Sequence, residues 1–211
     1  MCIRDSAYRI NGKTTYAMEG SIFIAGAGVQ WLRDRMKFFK KAPETEKIVK
    51  SLNNNNDIYL VPAFTGLGAP YWDANARGVL SGITRDTSPK EIVRATIEAV
   101  AYQTFDLFEA MKHDGLRPKI VKVDGGMVMN NWFSQFLSDI VNVKVLRPEV
   151  QETTALGAAF MAGLHIGVYK SLKDISKNWQ LDKKFSPKMK NKTRSVLING
   201  WEKAVKRALI N

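Results

Sequence analysis

The chain has 211 residues, of which 45% are hydrophobic and 25% charged, and its formal net charge is +12 at pH 7. This is the composition of an ordinary globular protein, and no apolar run approaches the roughly 18 residues that a membrane-spanning helix needs. The single cysteine, Cys2, excludes an internal disulfide and a cysteine-based metal cluster, and it fits a reducing, cytoplasmic location.

The positive charge is concentrated near the C-terminus. Residues 165–211 contain 12 Lys and Arg against 3 Asp and Glu, a net of +9. The lysines are scattered singly, without the aromatic residues or docking motif that nucleic-acid readers usually combine with basic side chains. This distribution is typical of a solvated basic surface, so no nucleic-acid partner is expected.

The first predicted helix covers most of residues 19–38, where apolar side chains recur at helical spacing. Gly26 and Gly28 interrupt it, and each costs up to about 1 kcal/mol relative to Ala in a helix interior. Close approach of a neighbour or a ligand is the usual compensation. A second helix is predicted over residues 44–52, before the polar loop "NNNN".

Two buried strands, "DIYLVPAF" and "GVLSGI", are predicted on either side of a long loop, "TGLGAPYWDANARG". Loops of this length in compact domains are often functional. The next helix has the clearest start in the chain: Ser88 as N-cap, Pro89 at the first position and Glu91 completing a capping box. It is expected to end just before Gly115.

After this helix the pattern alternates between strands and helices. Strands are predicted at residues 120–123 and 144–146, and helices at residues 130–141, in "TTALGAAFMAGLHIG" and in "GWEKAVKRAL". Such alternation predicts an α/β fold with a mostly parallel sheet covered by helices. One helix face is very small and is expected to pack tightly on a neighbour; its residues are Gly157, Ala158, Ala159 and Gly163.

A glycine followed four residues later by an amide side chain occurs twice. In "VDGGMVMNN" the turn brings Gly125 and Gly126 to a helix start, where free backbone N–H groups favour anions, and Asn130 follows one turn later. A tight turn with Asn as a cap explains the same pattern equally well. In "AGAGVQ", Gly26 is followed by Gln30, and the repetition of the unit favours a two-sided pocket.

Other polar and aromatic candidates have simpler explanations. Asp73 could contact a ligand or a metal-bound water, whereas Asp124 is expected to organise its turn by accepting backbone N–H groups. His113 and His165 lack metal-ligand spacing, and His113 fits a helix C-terminus. Packing roles are expected for three tryptophans, Trp72, Trp132 and Trp201.

Five segments together resemble the C-terminal half of the glycerol kinases in the FGGY carbohydrate kinase family. They are "AMEGSIFIAGAGVQWLRD", "VPAFTGLGAPYWDANARG", "GVLSGITRDTSPKEIVRATIEAVAYQT", "VDGGMVMNNWFSQFLSDI" and "RPEVQETTALGAAFMAGL". The resemblance runs from about residue 16 to residue 208, and residues 78–98 fit the family's second signature pattern. It implies an actin-like ATPase (ribonuclease H-like) fold with a mixed sheet flanked by helices. It also implies a division into a non-family segment, residues 1–15, and a nucleotide-binding domain, residues 16–211.

The resemblance also implies a function for both glycine–amide units. The positions of Gly26, Gln30, Gly126 and Asn130 line the adenine-nucleotide pocket in that family, and the adjacent Gly125 is a further candidate for nucleotide binding. The expected ligands are ATP or ADP with Mg²⁺, in an enzyme that converts ATP and glycerol to ADP and sn-glycerol 3-phosphate.

The catalytic aspartate, a Gly-Thr-Gly phosphate loop and the glycerol-binding residues would lie upstream of the matched segments. Phosphoryl transfer needs such groups around the γ-phosphate. No catalytic or metal-ligating residue is therefore expected in this chain, which is interpreted as a truncated product or fragment and is expected to be inactive alone. Glycerol would bind through the absent half, and the complete enzyme is expected to form a dimer or tetramer.

Two alternatives remain at this stage. One is another sugar or polyol kinase of the same family, such as a xylulokinase or gluconokinase. The other is a non-enzymatic remnant that binds a nucleotide or an acidic partner.

Overall fold

The computed structural model describes residues 3–209 of the chain. The N-terminal part begins with a hairpin and continues through two helices and a second pair of strands: β1 (Ile3–Ile10), β2 (Lys13–Glu19), α1 (Gly26–Asp34), α2 (Glu44–Lys50), β3 (Tyr59–Val61) and β4 (Val79–Ser81). β1 pairs with β2, and β3 pairs with β4, both antiparallel.

The C-terminal part is built on a three-stranded sheet with the order β5-β6-β7, and a 3₁₀ turn, Gly126–Met129, follows β5. Its elements are α3 (Pro89–His113), β5 (Ile120–Lys122), α4 (Asn131–Val141), β6 (Lys144–Pro148), α5 (Thr153–His165), α6 (Leu172–Ser176), β7 (Leu181–Phe185) and α7 (Asn191–Ala208). β5 pairs with β6 in parallel, whereas β7 runs antiparallel to β6, so this sheet is mixed.

Helix α3 is the centre of the molecule. It has 25 residues, a length of about 37 Å, and it contacts α1, α2, α4 and β3. The Ser88 hydroxyl accepts from the Lys90 N–H, and the Glu91 carboxylate accepts from the Ser88 N–H at 2.9 Å. The predicted capping box is thus confirmed, and the helix ends at His113, two residues before Gly115.

An aromatic layer joins α3 to α4, α7 and β3. The Tyr102 ring stacks on Trp201 with 5.3 Å between ring centroids, and it meets Phe136 edge-on at 5.6 Å. Tyr102 and Trp201 are almost fully buried, which confirms the packing role expected for Trp201. Trp132 packs on Phe136 as well, whereas Trp72 is 47% exposed.

A buried ion pair lies beside this layer, on the same helix. The Arg94 guanidinium donates to Glu98 at 2.7 Å, and the Tyr102 hydroxyl donates to the other Glu98 oxygen at 3.1 Å. Burial raises the pKa of Glu98, and the charge of Arg94 acts in the opposite direction. Arg94 also donates to the carbonyl of Leu52, so the pair links α3 to the segment that follows α2.

The structure corrects the first predicted helix. β2 extends to Glu19, and α1 covers only Gly26–Asp34 of the predicted residues 19–38. Gly26 is consequently the first helical residue, where the interior penalty does not apply. Gly28 is buried, and a Cβ there would lie 3.0 Å from the Thr96 side chain, so this glycine permits close packing of α1 on α3.

The prediction of a mostly parallel sheet is wrong for the described residues. Among the four strand pairings in residues 3–209, only that of β5 with β6 is parallel. The crossover from β5 to β6 through α4 supplies this pairing, whereas the hairpins and β7 add antiparallel ones. The tail helix also begins earlier than expected, at Asn191 instead of residue 200.

The small face of α5 is likewise not packed in the way that was predicted. Ala158 and Ala159 are exposed, and a Cβ at Gly157 would meet no heavy atom within 4 Å. Only Gly163 is buried, against the ring of Tyr169.

Candidate functional site

A cavity of about 340 Å³ opens between the start of α1, the start of α2 and the 3₁₀ turn. Its volume lies within the range of small-molecule sites. Four residues named from the sequence line it together, namely Gly26, Gln30, Gly126 and Asn130. The two glycine–amide units, which are about 100 residues apart in the chain, therefore face one space.

Both glycines begin helical segments that lack a side-chain cap. Gly26 opens α1, whose N-cap residue Ala25 makes no side-chain hydrogen bond, and the first turn of α1 contains no acidic residue. Gly126 opens the 3₁₀ turn, which also lacks a side-chain cap. The starts of two helical segments without a side-chain cap thus meet at one cavity, and the backbone N–H groups of such starts favour an anion.

Within the described residues, close packing does not explain why the cavity has glycine at positions 26 and 126. A Cβ added to Gly26 or Gly126 would meet no heavy atom within 4 Å, and neither backbone has a positive φ. Gly28 and Gly200, by contrast, lie against the side chains of Thr96 and Tyr59. Open space above a Cβ-free backbone is what a planar ring or a sugar requires to lie against the chain.

Gly125 lies beside the cavity and is not one of its lining residues. Its φ is +82°, and its N–H donates to the carbonyl of Gln151 at 3.4 Å. Because residues with a side chain rarely adopt this φ, the backbone conformation of the turn is enough to explain the glycine at this position.

Asn130 is the cap that the sequence offered as one alternative, and its side chain also faces the cavity. Its Oδ1 accepts the N–H of Phe133 at 3.0 Å, which makes it the N-cap of α4. Its Nδ2 lies 3.4 Å from the Thr45 hydroxyl across the cavity. The amide keeps one N–H and one lone pair for a ligand, since a carboxamide offers two donors and two acceptor sites.

Three polar residues of the cavity wall were not predicted from the sequence: Arg33, Thr45 and Glu46. The Glu46 carboxylate accepts the N–H of Asn131 at 3.2 Å. Burial alone would raise the pKa of Glu46, but hydrogen bonds from Lys50 and Asn131 outweigh it and hold that pKa below its usual value. These contacts join residues 85 positions apart, so no local pattern in the sequence indicates them.

The other carboxylates named from the sequence have structural partners. Asp73 Oδ1 accepts the N–H groups of Asn75 and Ala76 at 2.8 and 3.0 Å. Asp124 accepts from the hydroxyl of Thr153, so it links its turn to α5, and this replaces the expected bonds to backbone N–H groups. His113 lies in the last turn of α3, as expected.

Residues 3–209 contain neither a clustered metal site nor a membrane-spanning helix. No group of three or more His, Cys, Asp or Glu side chains there is placed to hold a metal ion. None of the helices in that range is long and apolar enough to cross a membrane.

Comparison with protein families identifies the domain. Residues 4–166 match the model for the C-terminal domain of the FGGY family of carbohydrate kinases. Among curated proteins, glycerol kinase 1 of Pseudomonas aeruginosa is 56% identical over 200 residues, which are 95% of this chain and 40% of that protein. The glycerol kinase of Thermoanaerobacter pseudethanolicus is 52% identical over 204 residues. The chain therefore spans about 40% of the length of these relatives.

Solved structures agree with this assignment. The glycerol kinase of Plasmodium falciparum with ADP matches 100% of this chain and 42% of its own, with a TM-score of 0.89 and 38% identity. A ligand-bound xylulose kinase from Lactobacillus acidophilus, at 23% identity and a TM-score of 0.77, has the same fold. The expected α/β, actin-like fold is confirmed by these neighbours. The chain belongs to the FGGY family of carbohydrate kinases and carries its C-terminal domain.

Proposed function

We propose that the chain is the nucleotide-binding part of an ATP-dependent glycerol kinase. The complete enzyme would transfer the γ-phosphoryl group of ATP to a hydroxyl of glycerol, giving ADP and sn-glycerol 3-phosphate. The observation that carries the proposal is the meeting of two uncapped helical N-termini and two amide side chains at one cavity. Identities of 52 to 56% with glycerol kinases favour glycerol over the sugars of more distant family members.

Each residue predicted from the sequence has a defined task in this proposal. The N–H groups at Gly26 and Gly126 would donate to phosphate or ribose oxygens, and the open space above both residues would let the nucleotide approach the backbone. Gln30 and Asn130 would orient the ligand through their amides. Gly125 would set the course of the turn through its positive φ.

The remaining parts of the reaction would come from outside this chain. In phosphoryl transfer the hydroxyl oxygen bonds to the γ-phosphorus while the bond to the β–γ bridging oxygen breaks, and a base takes the hydroxyl proton. That base and the glycerol site would lie upstream, and Mg²⁺ would arrive with the nucleotide phosphates. A cytoplasmic location and a dimeric or tetrameric enzyme stay part of the proposal.

Nucleotide titration of the 211-residue chain tests the site. We expect saturable binding of ADP, measured by calorimetry, and at least a tenfold loss in Gly126→Val, since the new side chain would occupy the space of the ligand. Gly157→Val is the matched control, because Gly157 is also open and free of positive φ but lies outside the cavity. Equal affinities of the two variants for ADP would refute the nucleotide site, and so would a wild-type chain that does not bind ADP.

The kinase activity is tested by joining this chain to the upstream part of the Pseudomonas aeruginosa relative. The fusion should consume ATP only when glycerol is present, and Gly126→Val should raise the KM for ATP far more than the KM for glycerol. The chain alone should show no glycerol-dependent consumption of ATP. A fusion that folds and binds ADP without turnover would leave the site intact and contradict the assigned activity.

A further inference from the structure

A buried arginine lies behind the 3₁₀ turn that forms one wall of the cavity. Arg147, in β6, is 5% exposed. Its Nη1 donates to the carbonyl of Val128 at 2.8 Å and to that of Met129 at 3.4 Å. Its Nη2 donates to the side-chain oxygen of Asn131 at 3.3 Å. The guanidinium thus holds the end of the turn and the start of α4 together.

The third nitrogen of Arg147 binds a residue outside the turn. Its Nε donates to Asp182 of β7 at 2.5 Å, and the Asp182 side chain is 40% exposed. The ion pair is therefore partly solvated, whereas the bonds to the turn are made by the buried end of the guanidinium. Lysine has a single charged atom and cannot form this fork of bonds in two directions.

Arg147 does not itself line the cavity, although the turn that it holds does. Gly126, Met127, Met129 and Asn130 all line the cavity. The bonds of Arg147 fall on Met129 and on the adjacent Val128 and Asn131. The Ser134 hydroxyl is a second anchor, since it donates to the same Val128 carbonyl at 2.9 Å. Arg147 is the anchor that links this carbonyl to the sheet.

We infer that Arg147 is a positioning residue for the nucleotide cavity. By holding two carbonyls of the turn and the side chain of Asn131, it fixes the places at which Gly126 and Asn130 meet a ligand. Only the identity of that ligand rests on the proposed function. The immobilisation of the turn is a property of the chain without any ligand.

Hydrogen exchange of the full 211-residue chain separates positioning from general support. Arg147→Lys keeps the charge and loses the fork, so amides of residues 126–134 should exchange about tenfold faster, the effect of losing one charge-assisted hydrogen bond. Amides of α7 should keep their wild-type rates. Asp182→Asn is the matched control, because it removes the ion pair and leaves the bonds to the turn, and it should change exchange in residues 126–134 by less than about twofold.

ADP titration of the same proteins completes the test. Arg147→Lys should weaken ADP binding about tenfold, and Asp182→Asn should leave it near the wild-type value. Unchanged exchange at residues 126–134 in Arg147→Lys would overturn the inference, and so would an equal acceleration throughout the chain or global unfolding of this variant alone. If the wild-type chain binds no ADP while the exchange pattern is as expected, the proposed function fails and the positioning role stands.

Discussion

Asp106 is a carboxylate held between two aromatic donors in the core. The Tyr71 hydroxyl and the Trp201 indole N–H donate to its Oδ2 at 2.8 and 2.7 Å. Burial raises the pKa of Asp106 from its ordinary 3.8 to about 6, and the two hydrogen bonds act against this rise. Because Tyr71 belongs to the long loop after β3, the carboxylate fastens that loop to α3 and α7.

The raised pKa gives a prediction for stability against pH. The folded state binds the Asp106 proton more tightly than the unfolded chain, so the stabilisation is complete below about pH 4 and is lost as the pH rises through about 6. Asn can accept from both donors without a charge. The unfolding free energy of Asp106→Asn minus that of the wild type should therefore rise by up to about 3 kcal/mol between pH 4 and pH 8.

Urea denaturation at several pH values measures this difference. Asp86→Asn, at an exposed position, serves as the control, and its difference from the wild type should not follow the same curve. A difference for Asp106→Asn that is constant with pH, or that falls as the pH rises, would contradict the assignment.

Among the elements, α3 depends most clearly on a local signal. Ser88→Ala removes the hydroxyl that accepts from Lys90 and that donates to Glu91 at 2.5 Å. We expect a loss of about 1 kcal/mol in the free energy of unfolding, measured by urea denaturation followed by circular dichroism.

The matched control is Ser171→Ala at the start of α6. Ser171 also caps its helix, by accepting from Asp174 at 3.2 Å, but α6 has five residues and none of them is buried. Fraying of α6 should leave the unfolding of the core almost unchanged. Equal losses in both variants would show that the cap of α3 gains nothing from its position in the core.

The signals that predicted elements correctly are the local ones. The capping box of α3 and the strand–turn–helix pattern from β5 to α4 are encoded in consecutive residues, and the structure has both. The helix predicted over residues 19–38 failed at its start because residues 20–25 are irregular. Ile22 and Ala25 pack against the core from this segment, so their helical spacing does not reflect a helix. Burial of the hairpin against Leu107 and its neighbours, through Met18, is a tertiary feature that short windows do not contain.

In the candidate site, too, the residues with a local sequence signal were predicted and those defined by long-range contacts were not. Glycines followed by amides marked Gly26, Gln30, Gly126 and Asn130, which the structure brings to one cavity, although their contact with a nucleotide stays a prediction. Thr45 and Glu46 were not predicted as part of the site because they contact Asn130 and Asn131, which lie 85 positions away in the chain. The packing proposed for α5 failed for a related reason: small residues indicate a close contact without showing which surface makes it.

At the scale of the whole molecule, the fold unites its two parts through α3. Helices α1 and α2 pack on one stretch of α3, and α4 packs along it from the C-terminal part. The walls of the cavity come from both parts, residues 26–46 on one side and residues 126–130 on the other, with Ile97 of α3 between them.

This construction of the cavity has a consequence for folding kinetics. The walls are separated by roughly 80 residues, and such non-local contacts form only after a large loss of chain entropy. If the cavity is completed late in folding, ADP would bind the finished domain and neither wall alone. At 100 times its Kd, ADP would stabilise the domain by about 2.7 kcal/mol, almost entirely by slowing unfolding about a hundredfold.

Stopped-flow measurements with and without ADP test this expectation. Refolding rates should be equal in both conditions, unfolding rates should fall with ADP, and Gly126→Val should abolish the difference. Faster refolding with ADP would mean that both walls are already assembled in the transition state. If the expectation holds, the nucleotide slows the unfolding of the completed domain without speeding its folding. The lifetime of the folded chain in a cell would then increase with the local concentration of ADP and ATP.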